Sequence, residues 1–216
     1  MVHKRSQYNR RKASGVSILE LIVVLAVAGI LGAIALPQMI ASRRLTRSIA
    51  VTREIVTQLR LARQLAMSKR AAYTFVYDDL AKDLKVIGPI PIGTVAFADP
   101  AYPNNLGSST IAVSALSQQG ITGADIFYGR PALTPAVPTG VLGDGVNLTP
   151  LLASKLCITF QPDGSVIDAT GNPTSKAMFF YNNLAAQDTA SAISVLGASG
   201  RAKIWRYTPN ANKYAE

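Results

Sequence analysis

Cysteine and histidine are nearly missing: the 216 residues hold one of each. A lone Cys157 cannot close an intramolecular disulfide, so the fold stands without an oxidative staple. It sits in the apolar run Lys155-Leu156-Cys157-Ile158-Thr159-Phe160, the setting of a buried structural thiol rather than a nucleophile. The one histidine, His3, lies in the basic N-terminal stretch, which removes histidine metal sites and serine–histidine triads from the folded part. No phosphate-binding glycine loop and no zinc spacing occur. An enzyme is therefore not expected, and neither a cofactor nor a metal is called for. Asp78, Asp79 and Asp83 are close in sequence, but Lys82 and Lys85 stand among them. They read as exposed turn acids, as most charge runs do.

Acidic residues are scarce in the first quarter. Residues 1–15 carry Lys4, Arg5, Arg10, Arg11 and Lys12 with no acid, and residues 37–72 carry eight Lys/Arg against Glu54 alone. Residues 73–216 are close to balanced, with nine Lys/Arg against ten Asp/Glu. The formal net charge of +10 thus belongs to the N-terminal quarter and is not the footprint of a uniformly basic nucleic-acid-binding domain. Charged residues make up 16% and hydrophobic ones 49%, a composition that excludes a disordered chain.

Residues 16–36, VSILELIVVLAVAGILGAIAL, form a nearly unbroken apolar run. At the α-helical rise this suffices to cross a bilayer core. The basic flank before it predicts a cytoplasmic N-terminus, with the rest of the chain beyond the inner membrane. No small-residue cleavage site follows the run; Pro37-Gln38-Met39-Ile40 does, which argues against an ordinary secretory signal. Glu20 sits inside the run, where an ionisable group costs about 2.5–3.5 kcal/mol at mid-helix. Such a residue calls for a partner.

Gly15-Val16-Ser17-Ile18-Leu19-Glu20-Leu21 resembles the prepilin cleavage motif of type IV pilins and type II secretion pseudopilins. The resemblance implies a cut between Gly15 and Val16 by a membrane prepilin peptidase, with N-methylation of Val16. Val16 departs from the usual phenylalanine. Glu20 becomes the fifth residue of the mature chain, where the family places its acid and pairs it with the terminal amine of a neighbouring subunit. Two opposite charges in lipid are tolerable where single ones are not, and the pair fixes register. Since the subunit at the extreme tip of such filaments tends to lack that acid, Glu20 implies a place below the tip. The alternative is a plain signal anchor with a stray glutamate.

Gly29, Gly32 and Pro37 interrupt the apolar helix, and Pro37 removes a helical donor. The resemblance implies a kinked or melted segment there in the filament; a simple kink at the membrane exit is the other reading. From Gln38 to Ala72 no Pro or Gly occurs, and Leu45, Ile49, Val56, Leu59, Ala62 and Ala66 recur at helical spacing. The helix is expected over roughly 16–70, its second part amphipathic and laid on the remainder. Arg43, Arg44 and Arg47 face either lipid phosphates and neighbouring acids or plain solvent.

After Ala72 short β-like runs alternate with turn residues. Strands are expected at 73–77, 84–87, 94–97, 126–128, 156–160, 165–167, 177–181, 192–196 and 203–207. The stretch 98–154 reads as a long irregular insertion. Ile158-Thr159-Phe160-Gln161-Pro162-Asp163-Gly164-Ser165, then Ile193-Ser194-Val195 and Gly200-Arg201, resembles the C-terminal half of GspH/FimT-type minor pseudopilins. The expected fold is α+β: a long N-terminal helix, membrane-spanning in its first half, packed on an antiparallel β-sheet head. The organisation is leader 1–15, core helix 16–36, amphipathic continuation 37–72 and head 73–216.

The expected function is structural: a minor pilin or pseudopilin stored in the inner membrane, then built into or priming a type IV pilus or a type II secretion pseudopilus. Its partners by resemblance are other pilin subunits, the prepilin peptidase, the inner-membrane assembly platform and membrane lipid. The competing expectation is DNA binding. Arg201, Lys203, Trp205, Arg206 and Tyr207 interleave cations with aromatics, and strand alternation puts Arg201, Lys203, Trp205 and Tyr207 on one face. DNA-uptake pilins of the FimT type carry Gly-Arg-x-Arg here; this chain has Lys203 at the last position. Cations would track phosphates and rings stack on bases. Against it stands an amphipathic edge strand with its rings in the core and Arg206 in water.

Overall fold

The computed structural model describes residues 17–92, 109–116, 120–123, 125–131, 148–168, 170–211 and 213–216. The chain divides into two compact units, Met1–Ile40 and Ala41–Glu216. A first helix, α1, covers Ile18–Lys69. The expected leader with Gly15 and Val16, and the expected strand at 94–97, lie outside the described residues.

In the first unit the helix carries apolar side chains all round. Ile18 is 79% exposed and Leu36 62%, so this segment covers nothing within its own unit. Among the described residues it supplies the one window apolar and long enough to cross a membrane. Helical structure continues through Gly29, Gly32 and Pro37.

In the second unit the helix becomes one-sided. Val51, Ile55, Val56, Leu59, Ala62 and Ala66 are buried, a set spaced by helical turns. Arg70, at φ 51°, ends the helix in the left-handed region and turns the chain into the first strand. The head strands are β1 Ala72–Asp78, β2 Asp83–Ile90, β3 Ser109–Ala115, β4 Phe127–Tyr128, β5 Lys155–Phe160, β6 Lys176–Tyr181, β7 Ser191–Val195, β8 Ala202–Thr208 and β9 Lys213–Ala215. A single helical turn, α2, occupies Ala186–Thr189.

The strands make two sheets, ordered β3-β2-β1-β5 and β4-β6-β7-β8-β9, and every pairing is antiparallel. Phe75, Tyr77, Leu84, Val86, Ile158 and Phe160 of the first sheet, and Met178, Phe180, Ile193 and Val195 of the second, join the buried helix face in one core. Burial of this apolar surface is what holds helix and sheets together. Two polar contacts fix the helix along the second sheet: Ser48 Oγ donates to the carbonyl of Thr189 (2.8 Å), and the hydroxyls of Thr52 and Ser191 meet at 3.0 Å in the interior.

Some expectations needed correction. The stretch 98–154 is not wholly irregular: β4 falls at the expected 126–128, and β3, at Ser109–Ala115, was not expected. Residues 165–167 make only isolated bridges, Val166 with Phe160 and Ile167 with Pro173. The acids of the β1–β2 turn are held internally. Asp78 Oδ1 accepts from the amides of Leu80 and Ala81, Asp79 takes Tyr77 Oη and Lys82 Nζ, and Asp83 pairs with Lys85.

Candidate assembly segment and a basic groove on the head

Glu20 lies in the first turn of α1 and is exposed in the lone chain. There its carboxylate opposes the positive end of the helix dipole. The residues around it, Ile18, Leu19, Leu21 and Ile22, are all more than half exposed. Gly29 and Gly32 have open space where a side chain would stand, so both faces of the helix there are bare.

The C-terminal constellation does not come together as one patch. Trp205 and Tyr207 are each 7% exposed. Trp205 packs with Ala177, Phe179 and Ala192 on the side of the second sheet away from the helix, and its Nε1 donates to Ser194 Oγ at 2.8 Å. Lys203 lies over the Trp205 ring, 5.2 Å from its centroid. Neither ring presents a free face on which a base could stack. Arg206, one residue out of phase, points with Ile204 to the helix side, where both line a cleft of about 370 Å³ with Leu45, Ile49 and Arg53. β8 is not an edge strand, because β9 pairs along it through Tyr207 and Tyr214.

Beside it lies a second cleft of about 520 Å³ between α1 and the start of β8, lined by Arg60, Arg63, Met67, Arg201, Lys203 and Ile204 among others. Ile204 lines both clefts. The two clefts thus adjoin at this residue along the seam between helix and sheet, a two-part groove. Arg201 and Lys203 had a visible place in the sequence; Arg53, Arg60 and Arg63 did not, and they form the opposite wall.

The groove's upper end is built by two tight turns. Gly164 (φ +82°) and Gly200 (φ +59°) occupy the left-handed region, and a Cβ on Gly200 would lie 2.0 Å from the carbonyl oxygen of Gly164. Only glycine permits that approach. Arg63 closes over both turns, donating through Nε to the carbonyl of Ser199 at 2.9 Å. Asp163 organises the first turn by accepting from the hydroxyl and amide of Ser165 (2.7 and 2.9 Å). Those hydrogen bonds hold its carboxyl below the usual range. The Gln161–Ser165 and Gly200-Arg201 segments, separate in sequence, thus meet on one arginine of the helix.

Elsewhere on α1, Arg47 reaches Asp125 at 3.2 Å. Desolvation acts to raise the Asp125 carboxyl, but hydrogen bonds from the amide and hydroxyl of Thr122, with the Arg47 charge, lower it on balance. Cys157 is half-buried and unpaired; burial pushes its thiol up to about 12, so it is no nucleophile at neutral pH.

No family model matches the chain. No curated protein matches it. Among solved structures it is similar to the type IV minor pilin FimU of Pseudomonas aeruginosa strain PAO1 in two crystal forms. Identity is 16% in both, with TM-scores of 0.41 and 0.43, over 77% and 82% of this chain and 96% of that one. A likeness this distant transfers no role from one chain to the other.

Proposed function

We propose that this chain is a minor pilin-like subunit: cut after Gly15, held in the inner membrane by its apolar helix, and then incorporated below the tip of a type IV pilus or a type II secretion pseudopilus. One observation carries the reading. Glu20 stands in the first turn of a helix whose apolar side chains, from Ile18 to Ile40, cover nothing in their own unit. An apolar surface of that extent demands lipid or other helices, and a carboxylate at its start demands a cation. The amine freed on Val16 of a neighbouring subunit meets that demand, and the helices then bundle as a filament core. A slip of one turn would leave both charges alone, so the pair sets the register between subunits.

The test is intact mass and N-terminal sequence after co-expression with a prepilin peptidase. A start at Val16 carrying one added methyl is expected. An uncut chain, or a cut elsewhere, overturns the reading and leaves a signal-anchored β head. Glu20→Ala is expected to be processed normally yet to enter filaments poorly, and normal incorporation would refute the pairing.

A further inference from the structure

From the groove along α1 and β8 we infer that the head docks an acidic, amphipathic segment of a different protein chain. Three observations converge. The first is an apolar stripe left uncovered. Leu45 and Ile49 continue the helical spacing of the core face, yet Leu45 is 40% exposed and Ile49 half-buried. With Ile204 they form the floor of the groove, a surface suited to apolar side chains rather than to a polyanion alone.

The second is charge. Arg53 and Arg60 on one wall, and Arg201 and Arg206 on the other, are all exposed. Among the described residues none of the four forms an ion pair, whereas Lys82, Lys85, Lys203 and Arg47 each do. Arg53 and Arg206 line one cleft and Arg60 and Arg201 the other, and each guanidinium presents the planar fork that carboxylates match. Asp188 and Glu216 are the acids lining the two clefts, and Glu216 is turned to Lys203 at 3.5 Å.

The third argues against a second copy as occupant. A second copy carries the same excess of positive charge and the same four arginines, which repel it from this surface. Six of the described acids are also engaged within the chain: Asp79, Asp83 and Asp125 by cations, and Asp78, Asp163 and Asp168 by amides and hydroxyls of their own turns. The better complement is another chain with carboxylates to spare. Nucleic acid would satisfy the arginines but not the floor, and the two rings nearest the groove, Trp205 and Tyr207, are buried. That the donor is a neighbouring subunit rests on the assembly reading above; the groove chemistry does not.

The experiment measures fluorescence anisotropy of a labelled amphipathic peptide of Leu, Ala and Glu against the full chain in uncharged detergent. Binding is expected, weakening with salt. Replacing the peptide's Glu by Gln should weaken it about tenfold, as should the double variant Arg60→Gln with Arg206→Gln. Ile49→Ser should weaken it severalfold. Arg43→Gln, exposed on the helix outside the groove lining, should leave it unchanged. Unaltered melting curves would show that the variants stay folded. Absence of binding overturns the inference. So does an equal loss with Arg43→Gln, indifference to the Gln peptide, or tighter binding of a duplex DNA oligonucleotide that the double variant abolishes. Failure here with a normal start at Val16 leaves the assembly reading intact, and peptide binding by an unprocessed chain leaves the groove intact.

Discussion

Trp205 separates a base-stacking strand from a structural one, and the protein supplies its own reporter because it contains a single tryptophan. In the structure the indole is 7% exposed, packs on Ala177, Phe179 and Ala192 with Leu148 and Tyr214 at its margin, and gives its N–H to Ser194. Trp205→Ala removes this contact surface and leaves a cavity. Core aromatic truncations cost about 3–5 kcal/mol; the small cluster and its half-buried margin place this one near about 3 kcal/mol. With a urea slope of about 2–3 kcal/mol/M, the unfolding midpoint should fall by about 1–1.5 M. A domain holds only about 5–15 kcal/mol in all, so the variant forfeits a large share. Circular dichroism in urea gives the midpoint for both proteins. Iodide quenching of the wild type adds an independent reading: emission should resist quenching until the chain unfolds, and duplex DNA should leave it unchanged. An unshifted midpoint, or native emission quenched as readily as in urea, would refute the placement of Trp205 in the core.

Gly200→Ala should cost about 3 kcal/mol or more, since left-handed backbone strain of about 1–2 kcal/mol adds to a collision with the carbonyl of Gly164; Gly171→Ala, at φ +86° in open space, should show the strain alone, and equal urea midpoints for the two would refute the close approach. Acid should destabilise the head through Asp125 and Asp163. Both carboxyls titrate below their ordinary value when folded, so their stabilisation is complete above about pH 5 and is lost as pH falls through the folded value. Asp125→Asn should therefore flatten the decline of melting temperature between about pH 5 and pH 3, and an unchanged slope would count against it. At neutral pH Asp125→Ala should cost about 1–3 kcal/mol, because Asn182 Nδ2, in a residue 1% exposed, loses its acceptor.

What the sequence made legible was whatever is written locally. The helix could be placed to within two residues because Gln38–Ala72 lacks breakers and repeats its apolar residues at helical spacing. β1, β2, β5, β6, β7 and β8 announced themselves by β-branched and aromatic runs between turn residues. β3 escaped because its pattern is inverted in strength: Ala112 packs against the core while Ile111 and Val113 face outward, 49% and 58% exposed. Three-residue β9 is too short to carry a period, yet it is what converts β8 from an edge into an interior strand and helps bury Trp205 through Tyr214. The rings of β8 were correctly put in phase with Lys203, but which side of the sheet receives them is decided by β9 and Leu148, both distant in the chain or silent in pattern.

The groove lies deeper still, because no local period joins Arg53 and Arg60 to Arg201 and Arg206. Only the antiparallel path of β7 into β8 across the helix does. The helical periodicity nonetheless contained half of it. Leu45 and Ile49 satisfied the same spacing as Val56 and Leu59 and were expected in the core, and the chain then failed to cover them. An apolar residue that keeps the core period while staying exposed is a disagreement between sequence and fold, and disagreements of that kind concentrate where something else must bind. The same logic governs Glu20, which breaks the apolar run that the membrane requires. On the proposed reading, the residues of α1 that violate the local rule, Glu20 in its first turn and Leu45 and Ile49 near its middle, are the ones whose partners lie outside the chain.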